Sequence, residues 1–412
     1  MPTDPIIIAG TGQAGLQAAA SLRQGGYDGA VLMIGDEPGL PYQRPPLSKA
    51  YLKEGDAERL WLRAEAFFHD NDIALMESAR ITRIDRRARS VTLEDGSDYA
   101  YEHLVLCVGA RNRRLPIVGH DLDNVVELRT MAHADRLREG LQAASHTIVI
   151  GGGFIGLEFA SVAGAHGCEV TVLEAAPRLM GRAVGEDTSR HFLNAHRAAG
   201  ATIRLGTAVS RILSDDRGRA TGVELADGET ILGDMILVAA GAVPNVELAA
   251  DADLAIDNGI AVDSVLSTGD PAISAIGDCA SFIAAQSGGR IRLESVQNAV
   301  DQAKCVAARL TGKGSAYDAL PWFWSDQGNQ KLQIAGLTAG ADDHVIRNQD
   351  TDGLSVFCFA DDRFIGLETV NVPGAHMAAR KLLGSGTEIT RRHLEDTDYD
   401  LRTLNKELAG RR

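Results

Sequence analysis

None of the five cysteines, Cys107, Cys168, Cys279, Cys305 and Cys358, stands in a C-x-x-C or C-x-x-x-x-C pair. That excludes a local dithiol relay. Because they lie in or beside apolar segments, they read as reduced core thiols of a cytosolic protein. The eleven histidines have no metal-ligand spacing, so no metal is expected. Basic charge is also short: the formal net charge is −15, which disfavours non-specific binding to nucleic acid or anionic membranes, although a local basic patch is compatible with it. No apolar run reaches the length of a membrane span. The opening MPTDPIIIAG lacks a basic region, and its short apolar run ends in glycine, so a first buried strand is expected there rather than a signal peptide. The expected location is cytoplasmic. What is present is 412 residues with 45% hydrophobic and 24% charged content, enough for two or three globular domains.

One device occurs twice. Residues 5–20 read PIIIAGTGQAGLQAAA and residues 147–162 read TIVIGGGFIGLEFASV. Each joins a β-branched run to G-x-G-x-x-G and then to a helix rich in small residues. Gly10, Gly12 and Gly15 form the first set, and Gly151, Gly153 and Gly156 the second. The first glycine of such a set makes the tight turn, the second admits a pyrophosphate to the backbone, and the third lets helix and strand pack closely. The pyrophosphate meets the free N–H groups and positive dipole end of the helix. A lone motif is weak, but each copy is followed by a second strand, AVLMIGDE reaching Asp36 and EVTVLEAA reaching Glu174. An acid about 20 residues beyond the glycines is placed to accept hydrogen bonds from an adenosine ribose. Two complete copies predict two dinucleotides.

Glu174 favours NAD over NADP at the second site. A 2′-phosphate about 4 Å from its carboxylate would cost up to about 4 kcal/mol at an effective dielectric of about 20. Arg178 and Arg182 follow closely, and an arginine there could hold a phosphate instead. Other segments point to a flavin at the first site. LVLCVGAR (104–111) and ILVAAGAVPN (236–245) resemble strands that cross between nucleotide domains. TGDPAISAIGD (268–278) ends in Gly277-Asp278, where an acid at a strand's carboxyl end can bind the polyol arm of a flavin. The helix expected in LESVQNAVDQAKCVAARL (293–310) would aim its N-terminus at the pyrimidine end of the flavin, though Glu294 and Ser295 also read as plain capping residues.

LPYQRPPLSK, residues 40–49, lies where many flavoproteins of this layout carry a redox-active cysteine pair, and it has none. With GTGQAG, GARNR, ELRT, GGGFIGLEFA, VTVLEAAPR, AIGDCA, RLESVQNA and PWFWSDQ in order, the chain from about 5 to 385 resembles the FAD-dependent NADH:ferredoxin reductases of bacterial monooxygenase systems. RPPLSK and PWFWSDQ are the most specific of these stretches. The resemblance implies an α/β fold with two Rossmann-like dinucleotide-binding domains of the glutathione-reductase type and a C-terminal α+β domain. The expected boundaries are 1–112 and 245–320 for the FAD domain, 113–244 for the NAD domain and 321–412 for the last. Alternating runs KLQIAGL, DHVIRN, LSVFCFA and RFIGLETVN, with a turn at Asp361-Asp362 and a helix in PGAHMAARKLLG, support that last domain independently. The charged stretch 387–412 is expected to be partly mobile.

The resemblance places FAD near Ala14, Asp36, Lys49, Arg129, Asp278 and Val296, with backbone atoms of Ile81 at the adenine. It places NAD on the 151–158 turn and Glu174, and it makes Lys49 and Glu158 a pair near the reacting flavin face, with Trp324 close by. Plainer readings are a solvated cap for Lys49, an exposed helix carboxylate for Glu158 and a core or interface ring for Trp324; Trp322 reads as structural. The implied acceptor is a 2Fe–2S ferredoxin docking on local basic charge, for which Arg63, Arg309, Lys331, Arg347, Arg380 and Lys381 are candidates; the expected state is a monomer or weak homodimer. Alternatives are an NADH oxidase or peroxidase of the same fold, and a redox-controlled interaction flavoprotein resembling apoptosis-inducing factor.

Overall fold

The computed structural model describes residues 4–347, 353–386, 389–395, 401 and 403. Most of the terminal stretch 387–412 lies outside the described residues; within it Arg391–Glu395 form a short helix. The chain divides into two compact units, one of residues 1–43, 57–111 and 243–319, the other of residues 44–56, 112–242 and 320–412.

In the first unit the run preceding the first glycine motif is the strand Ile6–Ala9, wholly buried. It is central in a five-stranded sheet ordered Ile273–Ala275, His103–Leu106, Ile6–Ala9, Val31–Ile34, Ile73–Met76, with every pairing parallel. Burial on both faces explains the near-continuous apolar runs. The helices Gln13–Gly25 and Val296–Leu310 pack on one another. A small antiparallel sheet of Ile81–Asp85, Ser90–Leu93 and Asp98–Ala100 completes the region before the first crossing.

The second unit repeats the plan. A parallel sheet runs Thr202–Leu205, Glu169–Glu174, His146–Ile150, Met235–Val238, Val125–Glu127, again with the strand before the glycines in the centre. The helices Phe154–Ala165 and Glu186–Ala198 follow its strands. Residues 44–56 pack here rather than with their sequence neighbours. Tyr51 donates its hydroxyl to Asp135 at 2.8 Å, and the Arg138 guanidinium lies over the Tyr51 ring at 5.7 Å. The C-terminal segment of this unit forms a five-stranded antiparallel sheet, Trp322–Gln327, Gln330–Gly336, Arg363–Val370, Leu354–Ala360, Asp343–Arg347. The four strands expected from alternation are there. The fifth, Trp322–Gln327, grows from the PWFWSDQ motif, whose aromatic run hides the two-residue period. Asp361 and Asp362 join two strands with φ of 49° and 61°, as a tight two-residue hairpin turn requires. The helix Pro373–Gly384 closes a core that includes Phe357, Phe359, Leu367, Ala379 and Leu382.

A buried carboxylate ties the C-terminal sheet to the helix Glu186–Ala198. Glu368 is 1% exposed, and the Gly185 N–H at the helix start donates to its two oxygens at 3.0 and 3.1 Å. The position suits the positive helix end. Glu368→Ala would leave that N–H without an acceptor, at an expected cost of about 2 kcal/mol. Thermal unfolding should show a lowered midpoint for Glu368→Ala and a smaller drop for Glu368→Gln, which keeps an acceptor. An unchanged midpoint for the alanine variant would mean that the tie adds nothing to stability.

Candidate functional site

At the first glycine motif, Gly10 has φ +118° and a Cβ there would lie 2.4 Å from the Cys107 carbonyl oxygen, while a Cβ on Gly15 would lie 2.0 Å from that of Gly10. Both are packing glycines. Gly12 differs: it starts the helix with no side-chain cap, and a Cβ on it would meet nothing within 4 Å. Ala14 is buried, and Gly277 packs so closely over it that an added Cβ would lie 3.1 Å from the Ala14 methyl. Asp36 follows its strand exposed and ion-paired to Arg80 at 3.1 Å, and Ile81 opens the adjoining small sheet. Asp278 sits in the short turn Gly277–Cys279, where the Gly277 N–H donates to Gln302 at 2.7 Å. Val296 is the first residue of its helix. Ser295 caps that helix by accepting from the Asn298 N–H at 3.1 Å, so the capping reading is satisfied in the structure. Gly10, Asp36 and Gly277-Asp278 thus follow the carboxyl ends of parallel strands, where such folds hold ligands.

The second motif has the same construction. A Cβ on Gly151, at φ +113°, would lie 2.4 Å from the Ala239 carbonyl oxygen, and one on Gly156 would lie 2.2 Å from that of Gly151. Gly153 starts an uncapped helix in front of open space. In both turns the residues fit a pyrophosphate: a cradle without side chains stands before free N–H groups at a positive helix end. The Glu174 carboxylate accepts from the Gly152 and Ala176 N–H groups at 2.7 Å each, which fixes it beside this turn. Arg178, one of the two arginines that could have taken a phosphate, is turned inward: it donates to the Val184 carbonyl and to that of Gly181 at 2.6 Å. Arg182 is exposed.

Residues far apart in the chain meet within the second unit. Lys49 donates to Glu158 Oε2 at 2.6 Å and to the Pro45 carbonyl at 3.1 Å. Glu158 is no exposed helix carboxylate: its side chain is 3% exposed against 21% for Lys49. The helix Phe154–Ala165 turns this residue inward with Phe159 and Val162. A charge so buried needs compensation, and Glu158 has it from three sides. Ser48 also donates to Oε2, and Ser325 donates to Oε1 at 2.6 Å. Gln327 donates to Ser325 at 3.2 Å, and its amide oxygen lies 2.9 Å from His196 Nε2. Ser48, Ser325, Gln327 and His196 escaped the sequence reading. Three of them lie inside quoted motifs, but nothing local says that RPPLSK and PWFWSDQ converge on one carboxylate.

Arg129 is half-buried just before the helix Met131–Ala143, and its backbone carbonyl accepts from Arg44 at 2.7 Å. Trp324 is half-buried with its ring 5.6 Å from that of Trp322. Trp322 in turn carries the Arg380 guanidinium at 4.2 Å. Among the docking candidates, Arg309 donates to Ser274 and Arg347 to the Leu394 carbonyl at 2.6 Å, so both are internal ties. Arg63, Lys331 and Lys381 are exposed. Burial pushes the Cys279 thiol up to about 11 and those of Cys107 and Cys358 well above the ordinary range, which opposes thiolate chemistry. Among the described residues, no helix is long and apolar enough to cross a membrane.

Comparison with known proteins agrees with this construction. Residues 4–303 match the family described as pyridine nucleotide-disulphide oxidoreductase, and residues 322–405 match the family described as reductase C-terminal. Rhodocoxin reductase of Rhodococcus erythropolis is 50% identical over 399 residues, 96% of this chain and 93% of that protein. The ferredoxin reductase of the CYP199A2 system from Rhodopseudomonas palustris superposes with a TM-score of 0.95 at 48% identity, covering 98% of this chain and 100% of that one. Putidaredoxin reductase in its covalent complex with putidaredoxin gives 0.96 at 36% identity, with 99% of each chain covered. Two glycine turns on two parallel sheets, followed by an antiparallel C-terminal sheet, are therefore the inherited plan of a known group, and the chain belongs to the pyridine nucleotide-disulphide oxidoreductase family.

Proposed function

We propose that the protein is a cytoplasmic FAD-dependent NADH:ferredoxin reductase that supplies electrons to a monooxygenase through a 2Fe–2S ferredoxin. The observation that carries this reading is the pairing of Lys49 with the buried Glu158, held by a segment that contains no cysteine. The likeness over 98% of this chain to the ferredoxin reductase of the CYP199A2 system supports the choice of acceptor.

FAD, when bound, takes two electrons from NADH as hydride and releases them singly to a one-electron carrier. In this reading the turn at Gly10, Gly12, Ala14 and Gly15 binds its pyrophosphate, Asp36 its ribose, Ile81 its adenine through backbone atoms, Asp278 its polyol arm and Val296 its pyrimidine end, with Arg129 as a further FAD contact. Gly151, Gly153, Gly156 and Glu174 bind NAD. Lys49 supplies fixed positive charge to the reacting ring system, Glu158 orients Lys49 and the nicotinamide amide, and Trp324 shields the site. The domain boundaries 1–112, 113–244, 245–320 and 321–412 belong to the same proposal, as do docking through exposed cations such as Lys331 and Lys381 and a monomeric or weakly dimeric state.

The test is NADH oxidation in air by the FAD-loaded protein, with and without a bacterial 2Fe–2S ferredoxin and a cytochrome c reporter. Slow turnover alone and a large gain with ferredoxin are expected. Fast oxygen consumption indifferent to ferredoxin would identify an oxidase and overturn the proposal.

Coenzyme choice gives a second check. With Arg178 turned to backbone carbonyls and Glu174 fixed beside the turn, a 2′-phosphate would meet a carboxylate. Even half of the roughly 4 kcal/mol Coulomb cost is more than tenfold. NADH should therefore exceed NADPH in kcat/KM by at least about tenfold, and equal values would refute this role for Glu174.

A further inference from the structure

Glu158 is the acceptor at the end of a buried hydrogen-bond chain whose direction can be read donor by donor. His196 is 5% exposed, and burial keeps its imidazole neutral by lowering its pKa. Its Nε2 faces the Gln327 amide oxygen at 2.9 Å, an acceptor only, so this nitrogen carries the hydrogen. The Gln327 amide then donates to Ser325 Oγ at 3.2 Å. A hydroxyl has one hydrogen, and that of Ser325 goes to Glu158 Oε1 at 2.6 Å. Ser325 and Gln327 are both buried, two residues apart on the inward face of the strand Trp322–Gln327. The chain from His196 to Glu158 therefore has one polarity, and successive bonds in such a chain strengthen one another.

We propose that Ser325, oriented by Gln327 and His196, is a positioning residue of the hydride-transfer site: it holds the Glu158 carboxylate in one orientation and through it fixes the Lys49 ammonium. The inference rests on the reading of Lys49 given under Proposed function. Oε1 takes Ser325, while Oε2 takes Ser48 and Lys49. Without Ser325 Oε1 loses its donor, and the carboxylate is held through Oε2 alone. Lys49 would then face a carboxylate oriented from one side only, while keeping the Pro45 carbonyl. Two charged groups on the strands packed against this helix point elsewhere: Glu174 accepts from backbone amides, and His146 lies against Thr171 at 2.9 Å.

The experiment uses the full-length, FAD-loaded protein with Ser325→Ala, Ser325→Thr and Ser325→Cys, each alone and combined with Lys49→Met. Two quantities are read: the limiting rate of anaerobic flavin bleaching by NADH, and the two-electron midpoint potential measured with a chemical reductant. Ser325→Ala should lower the limiting rate about tenfold with the half-saturating NADH concentration unchanged, as expected for one lost hydrogen bond to a charged group. Its potential should fall by up to roughly 30 mV, the shift that a tenfold change in a two-electron equilibrium represents. Ser325→Thr, which keeps the hydroxyl, should restore both. In the Lys49→Met background the alanine change should alter the rate by no more than about twofold and leave the potential in place, because a residue that acts through Lys49 has nothing left to act on. Equal losses in both backgrounds, or an unchanged potential, would overturn the proposal; should Ser325→Ala fail to fold, Ser325→Cys, similar in size and a weak donor, takes its place. The potential needs no NADH. A wild-type protein that NADH cannot bleach would thus refute the reductase reading, while the potentials would still judge Ser325.

Discussion

Lys49→Met is expected to slow anaerobic flavin bleaching by NADH about 100-fold while leaving the FAD content of the purified protein near that of the wild type. Methionine approximates the length of the lysine chain and removes only the charge. In the present arrangement that charge is fixed: the ammonium lies 2.6 Å from Glu158 and 3.1 Å from the Pro45 carbonyl, with its side chain only 21% exposed. Fixed charge aimed at a reacting group costs no reorganisation at the moment of reaction, and losing one such contact typically lowers a rate by about 10² to 10³. The lower figure is taken because a fifth of the side chain still meets water, which screens it. A second loss follows from the same substitution. Glu158 would be left 3% exposed with hydroxyl donors and no countercharge, and breaking a buried pair from one side is strongly unfavourable. Thermal unfolding in parallel separates the two effects. A bleaching rate within about threefold of wild type would remove Lys49 from the reaction altogether.

Gly151→Ala and Gly153→Ala should fail in different ways although only one residue separates them. At Gly151 the added methyl would stand 2.4 Å from the Ala239 carbonyl oxygen, in a backbone conformation of φ +113° that alanine avoids. Backbone cannot yield as a flexible side chain can, so this variant should unfold at a markedly lower temperature or be recovered as aggregate. At Gly153 φ is −83° and the methyl would meet no protein atom within 4 Å. Its thermal midpoint should fall by no more than a few degrees, because that extended conformation is open to alanine and the methyl clashes with nothing, although alanine is a poorer helix cap than glycine. The space it enters is the one a pyrophosphate would take, so NADH affinity should fall at least about tenfold, measured by titration of the folded protein. Unchanged NADH affinity in Gly153→Ala would mean that this turn does not hold the dinucleotide. Gly10 and Gly12 form the corresponding pair in the first unit, with a Cβ clash of 2.4 Å at one and open space at the other, and FAD retention takes the place of NADH affinity there.

Both glycine turns could be found from sequence because their physics is local. A buried parallel strand needs an apolar run, the turn after it needs backbone freedom, and the helix needs small residues to approach the sheet, all within about 16 consecutive positions. The same holds for the C-terminal hairpin, where alternation and Asp361-Asp362 announce strands and turn together. The presence of Lys49 and Glu158 at a shared site followed only from family resemblance, since they are separated by 109 positions and no periodicity links them. Their surroundings followed from nothing in the sequence. Ser325 reaches Glu158 across 167 positions, and His196 reaches Gln327 across 131. Glu158 by itself looks like any polar residue on a helix. It becomes a buried, triply bonded carboxylate because the strand Trp322–Gln327 and the turn Pro45–Ser48 pack against that helix, and a hydrogen bond between remote residues exists only where packing has already brought donor and acceptor to contact distance.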